Sequence, residues 1–283
     1  MNTLPIRKLT SLAATGLVIA LASAGVASAD TSTASTASTA STTAAQQAAN
    51  PSGKLAATNN PLYRSGRLAN ANCSPGTLRK GSTAAYKSFL TRVTSCLNRT
   101  WSTQFRKAGL TFRTPRLRII TSKVRTACGS WPTGADGIYC SSDRTMYMLI
   151  TKQQLRQPFA LGITRLMAHE YGHHVQSQSG IWTYYLAARN VSGKSGQLLL
   201  SRRTELQAEC FSSIFMRTNA SSLPVDQSEW DYTVNWFRQH GAESWPQNDH
   251  GRGPTQAAWM KRGFQYASPG ACNTWKTSAG NVR

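Results

Sequence analysis

The stretch His169-Glu170-Tyr171-Gly172-His173-His174 decides how the rest of the sequence is interpreted. It follows an apolar run, residues 159–168, and contains the H-E-x-x-H pattern. On a helix, residues four apart share one face, so His169 and His173 can present two imidazoles to one Zn²⁺, with Glu170 beside them as a base. The pattern is therefore typical of zinc peptidases. A surface helix that carries unrelated histidines is the alternative.

Two features favour a metal site over that alternative. Gly162, Leu166, His169 and His173 have the spacing of one helix face. The whole chain holds only five histidines, and this stretch contains three of them. We therefore expect the motif to lie on a helix that contributes to a metal centre.

A second predicted helix, from Gln197 to Arg217, carries two acids four residues apart, Glu205 and Glu209. A zinc site with two histidines still lacks a third protein ligand, and Glu205 can supply it. Glu209, one turn further on, could then accept the distal N–H of a histidine ligand and fix its tautomer. The alternative is an exposed face on which these acids pair with Arg202 or Arg203.

The sequence excludes a third histidine ligand close to the motif. In the H-E-x-x-H-x-x-G-x-x-H arrangement, glycine and histidine would occupy positions 176 and 179. This chain has Gln176 and Ser179 there. A glutamate from a distant helix is the arrangement that remains.

A loop between two later predicted helices, 225–240 and 255–266, contains Asn248-Asp249-His250-Gly251. An acid beside His250 can hold its imidazole in position to stabilise a developing oxyanion. Tyr171 and Tyr184 are alternative donors for that role, and a loop histidine that is simply exposed is another interpretation. His174 lies five residues from His169, off the ligand face, and we expect it to pack or to support a ligand.

Alternating patterns before the motif predict a small β-sheet, with strands at 116–121, 137–140 and 145–150. A helix is expected upstream, from Ser82 to Lys107. Peptidases commonly hold an extended substrate as an added strand at a sheet edge, and a strand within 137–150 is the candidate. The fold class is thus α+β, mainly helical, with a small sheet before the motif helix.

The beginning of the chain resembles an export signal rather than part of a fold. Residues 1–29 combine Arg7 and Lys8, an apolar core, and the cleavage-site pattern Ala27-Ser28-Ala29. Residues 30–59 are predicted to be a disordered Thr/Ser/Ala-rich spacer. Residues 60–283 form one domain, a basic helical part (60–115) followed by the core (116–283). We expect a secreted or wall-associated protein with no membrane span in its mature form; whether the basic part is a propiece is open.

Six cysteines in an exported chain predict disulfides. Two close pairs in the sequence suggest the connectivity, which is listed here: Cys73–Cys96, Cys128–Cys140 and Cys210–Cys272. Zinc binding by cysteine is disfavoured because no C-x-x-C pattern occurs.

The charge of the chain is strongly basic and unevenly distributed. It has 32 Lys and Arg against 11 Asp and Glu, a net charge of +21. No acid occurs between Thr31 and Ala135, whereas 15 basic residues lie between Lys54 and Arg125. Such a field favours anionic partners, which for an exported protein would be an anionic cell-wall polymer, anionic lipid or extracellular DNA. No nucleic-acid motif is present, so nucleic acid is disfavoured but not excluded; the alternative is that the arginines only keep the protein soluble.

Taken together, these motifs resemble the bacterial neutral zinc metallopeptidase family. The resemblance spans roughly residues 115–275 and is carried by three segments in order: His169 to Gln176, Glu205 to Phe211, and Asn248 to Gly251 with Arg262-Gly263-Phe264 after them. It implies a zincin-like domain of the glutamate-zincin kind, with Glu205 as a ligand and Glu209 supporting the site. Glu209 stands where the family usually has aspartate, one methylene shorter.

These patterns predict a secreted zinc-dependent endopeptidase, monomeric, that acts on peptide or protein substrates. His169, His173 and Glu205 would hold one Zn²⁺, Glu170 and His250 would be catalytic, and Asp249 would support His250. The alternative is a protein that binds a wall polymer or nucleic acid on a zincin scaffold, with little or no catalysis. Glu170 argues against it, since a pure binding protein has no use for a base beside the metal.

Overall fold

A computed structural model describes residues 50–243, 245 and 247–283 of the chain. The predicted signal segment and the spacer up to residue 49 lie outside the described residues, so both remain predictions.

The described part is an α+β fold that is mainly helical, as predicted. Its helices are α1 Gly53–Thr58, α2 Thr83–Lys107, α3 Lys152–Arg156, α4 Ala160–Gln178, α5 Ile181–Asn190, α6 Lys194–Thr218, α7 Gln227–His240 and α8 Gly253–Tyr266. Its strands are β1 Arg116–Ile120, β2 Gly137–Cys140 and β3 Thr145–Leu149, and short 3₁₀ turns occupy Pro61–Arg64, Pro269–Cys272 and Ala279–Val282. None of the described helices is both long enough and apolar enough to cross a bilayer.

The sheet has three strands in the order β1-β3-β2. β3 is central, parallel to β1 and antiparallel to β2, and all five of its residues are buried. Because β3 is paired on both sides, only β2 within the segment 137–150 leaves an edge to which a peptide could be added. The sheet contacts α4 through β2 and β3, which places that edge beside the motif helix.

Three long helices, α4, α6 and α8, form the centre of the core. Gly172 of α4 faces Ala208 of α6 so closely that an added Cβ would lie 3.0 Å from the Ala208 Cα and carbonyl oxygen. Gly263 of α8 likewise faces Cys210 of α6, where an added Cβ would lie 2.6 Å from the carbonyl oxygen. The missing side chains therefore allow α4 and α8 to pack directly against the backbone of α6.

The predicted spacer boundary at residue 59 is wrong in its last part. Helix α1 packs its alanines Ala56 and Ala57, both fully buried, against the domain. The buried Asn60 side chain donates hydrogen bonds to the carbonyl oxygens of Ala56 and Ser179, at 2.7 and 2.9 Å. The folded domain thus extends at least to Asn50, because even this small alanine-containing helix finds apolar surface to cover. The remaining domain boundaries stay predictions.

The three predicted disulfides, Cys73–Cys96, Cys128–Cys140 and Cys210–Cys272, are confirmed. The first ties the loop before α2 to the middle of that helix. The last ties α6 to the C-terminal segment, one residue after Glu209. These crosslinks fit an oxidising compartment.

Candidate metal centre

Helices α4 and α6 bring His169, His173 and Glu205 together, with ligand atoms that all lie within 4.8 Å of one another. The Oε2 atom of Glu205 is 3.4 Å from His169 Nε2 and 3.1 Å from His173 Nε2. On α4, the two histidines share a face because they are one turn apart. The Gly172 contact with Ala208 then sets that face against the turn of α6 that carries Glu205.

The donor set fits Zn²⁺. The Oε2 atom of Glu205 is buried and has no hydrogen-bond partner among the described residues. A carboxylate oxygen in that state is costly unless a cation satisfies it. Two imidazole nitrogens and one carboxylate oxygen are the ligands of many catalytic zinc sites, which keep a further position open. The side chains of His169 and Glu205 are 13% and 18% exposed, so the centre is open to solvent on one side.

The second acid of α6 supports His169 from behind. Nδ1 of His169 donates to Oε2 of Glu209 at 3.1 Å, which leaves Nε2 free for a metal. The same oxygen accepts a hydrogen bond from the Arg165 guanidinium, which also lies 4.3 Å from the centre of the Phe237 ring. The side chain of Glu209, one methylene longer than the aspartate expected from the family resemblance, therefore still reaches the histidine.

The carboxylates of α6 favour positive charge at this place. Burial lowers the pKa of His169, but the carboxylates of Glu205 and Glu209, which lie beside its two ring nitrogens, outweigh it and raise that pKa to about 10. Burial raises the pKa of Glu209, yet the Arg165 guanidinium and the His169 contact bring it down to about 2. The pKa of Glu205 is held well below its usual range by His173 and His250, against the effect of burial. A metal cation would provide the same charge.

His173 is oriented by a residue for which the sequence analysis gave no role. Its Nδ1 donates to the Gln176 side-chain oxygen at 2.9 Å, and the Gln176 amide donates in turn to the Thr204 carbonyl of α6 at 2.8 Å. Arg165 was missed as well. Helical spacing could have indicated both Arg165 and Gln176. Arg165 is four residues before His169 and Gln176 is three after His173, so both lie on the face of α4 that carries the candidate ligands.

Glu170 follows His169 on α4 and lies against the first residue of β2. Its side chain is buried, with 8% exposure. A Cβ added to Gly137, the first residue of β2, would be 3.2 Å from Glu170 Cγ. The structure therefore places the Glu170 side chain against the first residue of β2, the edge strand of the sheet.

The loop after α7 brings His250 to the same oxygen as the two motif histidines. His250 Nε2 is 3.4 Å from Glu205 Oε2, and its Nδ1 donates to Asp249 at 2.8 Å. His250 is not part of the compact three-residue ligand cluster. Its ring stacks on Trp245 with centroids 4.1 Å apart, and Gly251, with φ +84°, turns the chain directly after it.

The remaining candidate side chains point elsewhere. His174 is fully buried; its Nε2 donates to the Arg113 carbonyl and Tyr139 lies at its Nδ1, so it packs the core. Burial lowers the pKa of His174 to about 4 and keeps it neutral. The Tyr171 hydroxyl donates to Asn98, and Tyr184 packs against Trp275. Neither tyrosine is a donor for the metal centre.

Comparison with known proteins identifies the family. The family described as "Putative neutral zinc metallopeptidase" matches residues 65–275. The chain belongs to this family. The match begins well before the motifs and includes α2, so the basic helical part of this zinc metallopeptidase family member lies within the family region.

Relatives of this family member occur in distant bacteria. The chain is 29% identical over 194 residues to the uncharacterized protein YpfJ of Escherichia coli (strain K12), an alignment that covers 63% of this chain and 68% of YpfJ. It is 25% identical over 195 residues to Mb2605 of Mycobacterium bovis and to Rv2575 of Mycobacterium tuberculosis (strain H37Rv), over 58% of this chain and 63% of each relative. No solved structure matches it.

A first prediction concerns the contribution of Arg165 to the candidate metal centre. Arg165→Met keeps an apolar side chain over Phe237 but leaves the Glu209 carboxylate without its guanidinium partner. We expect the zinc dissociation constant, measured by competition with a chelator of known affinity, to rise about 10- to 100-fold, because His169 is held less firmly. Arg165→Lys should recover part of the loss, and Arg217→Met, which removes an arginine that lies over Phe264, should cause none. Unchanged affinity in Arg165→Met would show that Arg165 only packs.

Proposed function

We propose that this protein is a secreted, zinc-dependent endopeptidase. The observation that carries the proposal is the convergence of His169, His173 and Glu205, with a buried carboxylate oxygen that has no hydrogen-bond partner, beside Glu170 and a free sheet edge. Membership of the family supports it. A cluster built only for stability would not need to hold a buried carboxylate oxygen, without a hydrogen bond, within 3.4 Å of three imidazole nitrogens in a place open to solvent.

His169, His173 and Glu205 would hold one zinc ion. When bound, zinc polarises a carbonyl oxygen and lowers the pKa of water toward neutrality. Glu209 and Gln176 each accept the Nδ1 proton of one ligand histidine, so both Nε2 atoms face the metal position. Glu209 thus acts on the reaction only by positioning.

Glu170 is the proposed general base. Its carboxylate would take a proton from the attacking water as the new C–O bond forms, and would then pass that proton to the nitrogen of the departing amine as the peptide C–N bond breaks. Its burial removes it from bulk solvent, and its place beside β2 puts it where an edge-bound peptide would run.

The substrate would bind as a strand added to β2. The edge of that strand offers main-chain donors and acceptors that recognise a peptide of any sequence in extended form. Gly137, without a side chain, leaves room for the Glu170 side chain at the start of the strand. Recognition through the main chain favours internal peptide bonds of unfolded segments over chain termini.

His250 is the proposed oxyanion stabiliser. It lies 3.4 Å from Glu205 without joining the ligand cluster, so its Nε2–H can point to a group that occupies the open side of the centre. The Asp249 carboxylate accepts the Nδ1 proton and fixes this tautomer. Stacking on Trp245 limits rotation of the ring.

Zinc removal tests the proposed function directly. The purified chain should cleave an unfolded protein such as reduced casein at internal bonds, with fragments identified by mass spectrometry. Treatment with a zinc chelator should abolish cleavage, and equimolar zinc should restore it, because the zinc-free ligand set cannot activate water. Magnesium, which prefers oxygen ligands, serves as the control and should not restore it. Cleavage that survives complete zinc removal would contradict the zinc mechanism. Absence of cleavage by the zinc-loaded protein would contradict the proposal as a whole and leave polymer binding without catalysis as the better account.

A further inference from the structure

The exposed face of α2 carries a repeat that the metal centre does not explain. Within this helix, the repeating residues are Ser88, Arg92, Ser95, Arg99, Ser102 and Arg106. Serine and arginine each recur every seven residues, a spacing that returns to nearly the same helix face and separates the arginines by about 10.5 Å along the axis. All three arginines are exposed, while the opposite face of α2 forms part of the core. The helix therefore presents a straight row of cations to solvent.

No carboxylate neutralises this row. Between Asn50 and Ala135 the chain has no acid at all, and none of the 15 basic side chains from Lys54 to Arg125 lies within 4.0 Å of a carboxylate of the described residues. An exposed helix that served stability alone would gain from acids interleaved with its arginines. The face accordingly holds a uniform positive potential along its whole length.

Two of the three arginines, Arg92 and Arg99, contact the loop before α2. Arg99 donates to the carbonyl oxygen of Ala71 at 3.2 Å. The Arg92 guanidinium lies so close to Gly76 that a Cβ added to this glycine would be 3.2 Å from the Arg92 Nη1 atom. The Cys73–Cys96 disulfide fixes this loop to the helix between those two contacts. Less side-chain entropy is therefore lost when an anion binds than on a row of free side chains.

We propose that this face of α2 binds a linear, base-free phosphodiester polymer, the chemistry of an anionic cell-wall polymer. The guanidinium fork matches two phosphate oxygens, and the small serines between the arginines let a polymer backbone lie close to the helix. The face has no aromatic side chain on which nucleobases could stack and no large apolar one to enter a membrane. Docking there would concentrate the peptidase on the wall without involving the metal centre.

Binding to synthetic poly(glycerol phosphate) tests the proposal, with the full mature chain as wild type. The triple variant Arg92→Gln, Arg99→Gln, Arg106→Gln should weaken binding about tenfold or more at ~0.1 M salt. It should also reduce the slope of log affinity against log salt by about two, because three phosphate contacts are lost. The same three positions changed to lysine should keep the slope but bind more weakly than wild type, because the fork is lost.

A matched control removes three charges from elsewhere: Lys194→Gln, Lys261→Gln and Lys276→Gln, all at exposed positions outside the basic segment. An equal loss of affinity for poly(glycerol phosphate) in both triple variants would overturn the proposal, because it would show that the polymer responds to net charge and not to this face of α2. Equal or tighter binding of wild type to duplex DNA, or to anionic lipid vesicles, would also overturn it. Cleavage of a short uncharged peptide should be unchanged in the arginine variant, so failure here is distinct from failure of the peptidase proposal. Circular dichroism checks that α2 remains folded.

Discussion

Glu170→Gln should lower the kcat for peptide cleavage about 10³- to 10⁴-fold while the zinc content of the protein stays the same. Glutamine preserves the size of the side chain but cannot take a proton from the attacking water, and general-base catalysis contributes up to roughly this factor. Zinc is retained because Glu170 lies outside the ligand cluster. The measurement combines kcat on a fluorogenic peptide with metal analysis of the same preparation.

His250→Phe is the companion variant for this measurement. Phenylalanine keeps a ring to stack on Trp245 and removes the hydrogen-bond donor, so kcat should fall about 10²- to 10³-fold with zinc retained. Glu170→Gln should therefore be the more severe of the two. If it keeps more than about a tenth of the wild-type rate, Glu170 is not the base, and the mechanism proposed above is wrong.

Glu205→Gln should primarily weaken zinc binding, and peptide cleavage should be lost because the metal is lost. A neutral amide is a weaker ligand than a carboxylate, and the centre would lose the negative charge that balances zinc. We expect the zinc dissociation constant to rise at least about 100-fold, more than for changes that only affect ligand orientation. Activity should be absent at stoichiometric zinc and recover in part at high zinc.

The matched control is Glu229→Gln, which makes the same chemical change at an exposed position of α7. It should leave zinc affinity and cleavage unaffected. Zinc affinity that is unaltered in Glu205→Gln would remove Glu205 from the ligand set and require another third ligand. Together, Glu170→Gln and Glu205→Gln distinguish a loss of general-base catalysis from a loss of zinc binding.

The sequence was most informative where chemistry restricts spacing. His169 and His173 had to share a helix face, and with positions 176 and 179 unsuitable, only a distant acid such as Glu205 could complete a zinc site. The structure brings these residues together, although their roles remain proposals. The disulfides were also predictable because four of the six cysteines formed two close pairs. Local patterns similarly predicted α2 with its Ser82 cap, whose side chain accepts from the Ala85 N–H.

What the sequence could not provide depends on how elements pack. Helical spacing placed Arg165 on the same face as His169, but it did not indicate Glu209 as the partner, since residues 44 apart meet only after α4 docks on α6. The sheet order was equally hidden, and with it the fact that β2 rather than β3 keeps a free edge. Helix α1 was missed because six residues without a clear apolar stripe have no intrinsic helical stability; tertiary contacts determine them.

The contact between Gly172 and Ala208 also affects which size of metal ion the centre could hold. It sets the distance between α4 and α6, and with it the separation of the histidine pair from Glu205. Zinc–ligand bonds are about 2.0–2.2 Å long, whereas calcium bonds are about 2.3–2.6 Å. In the proposed site, a glycine that lets two helix backbones approach so closely would keep the ligand atoms near the shorter distance. The proposed preference for zinc would therefore depend partly on Gly172, which is not one of the three proposed ligands.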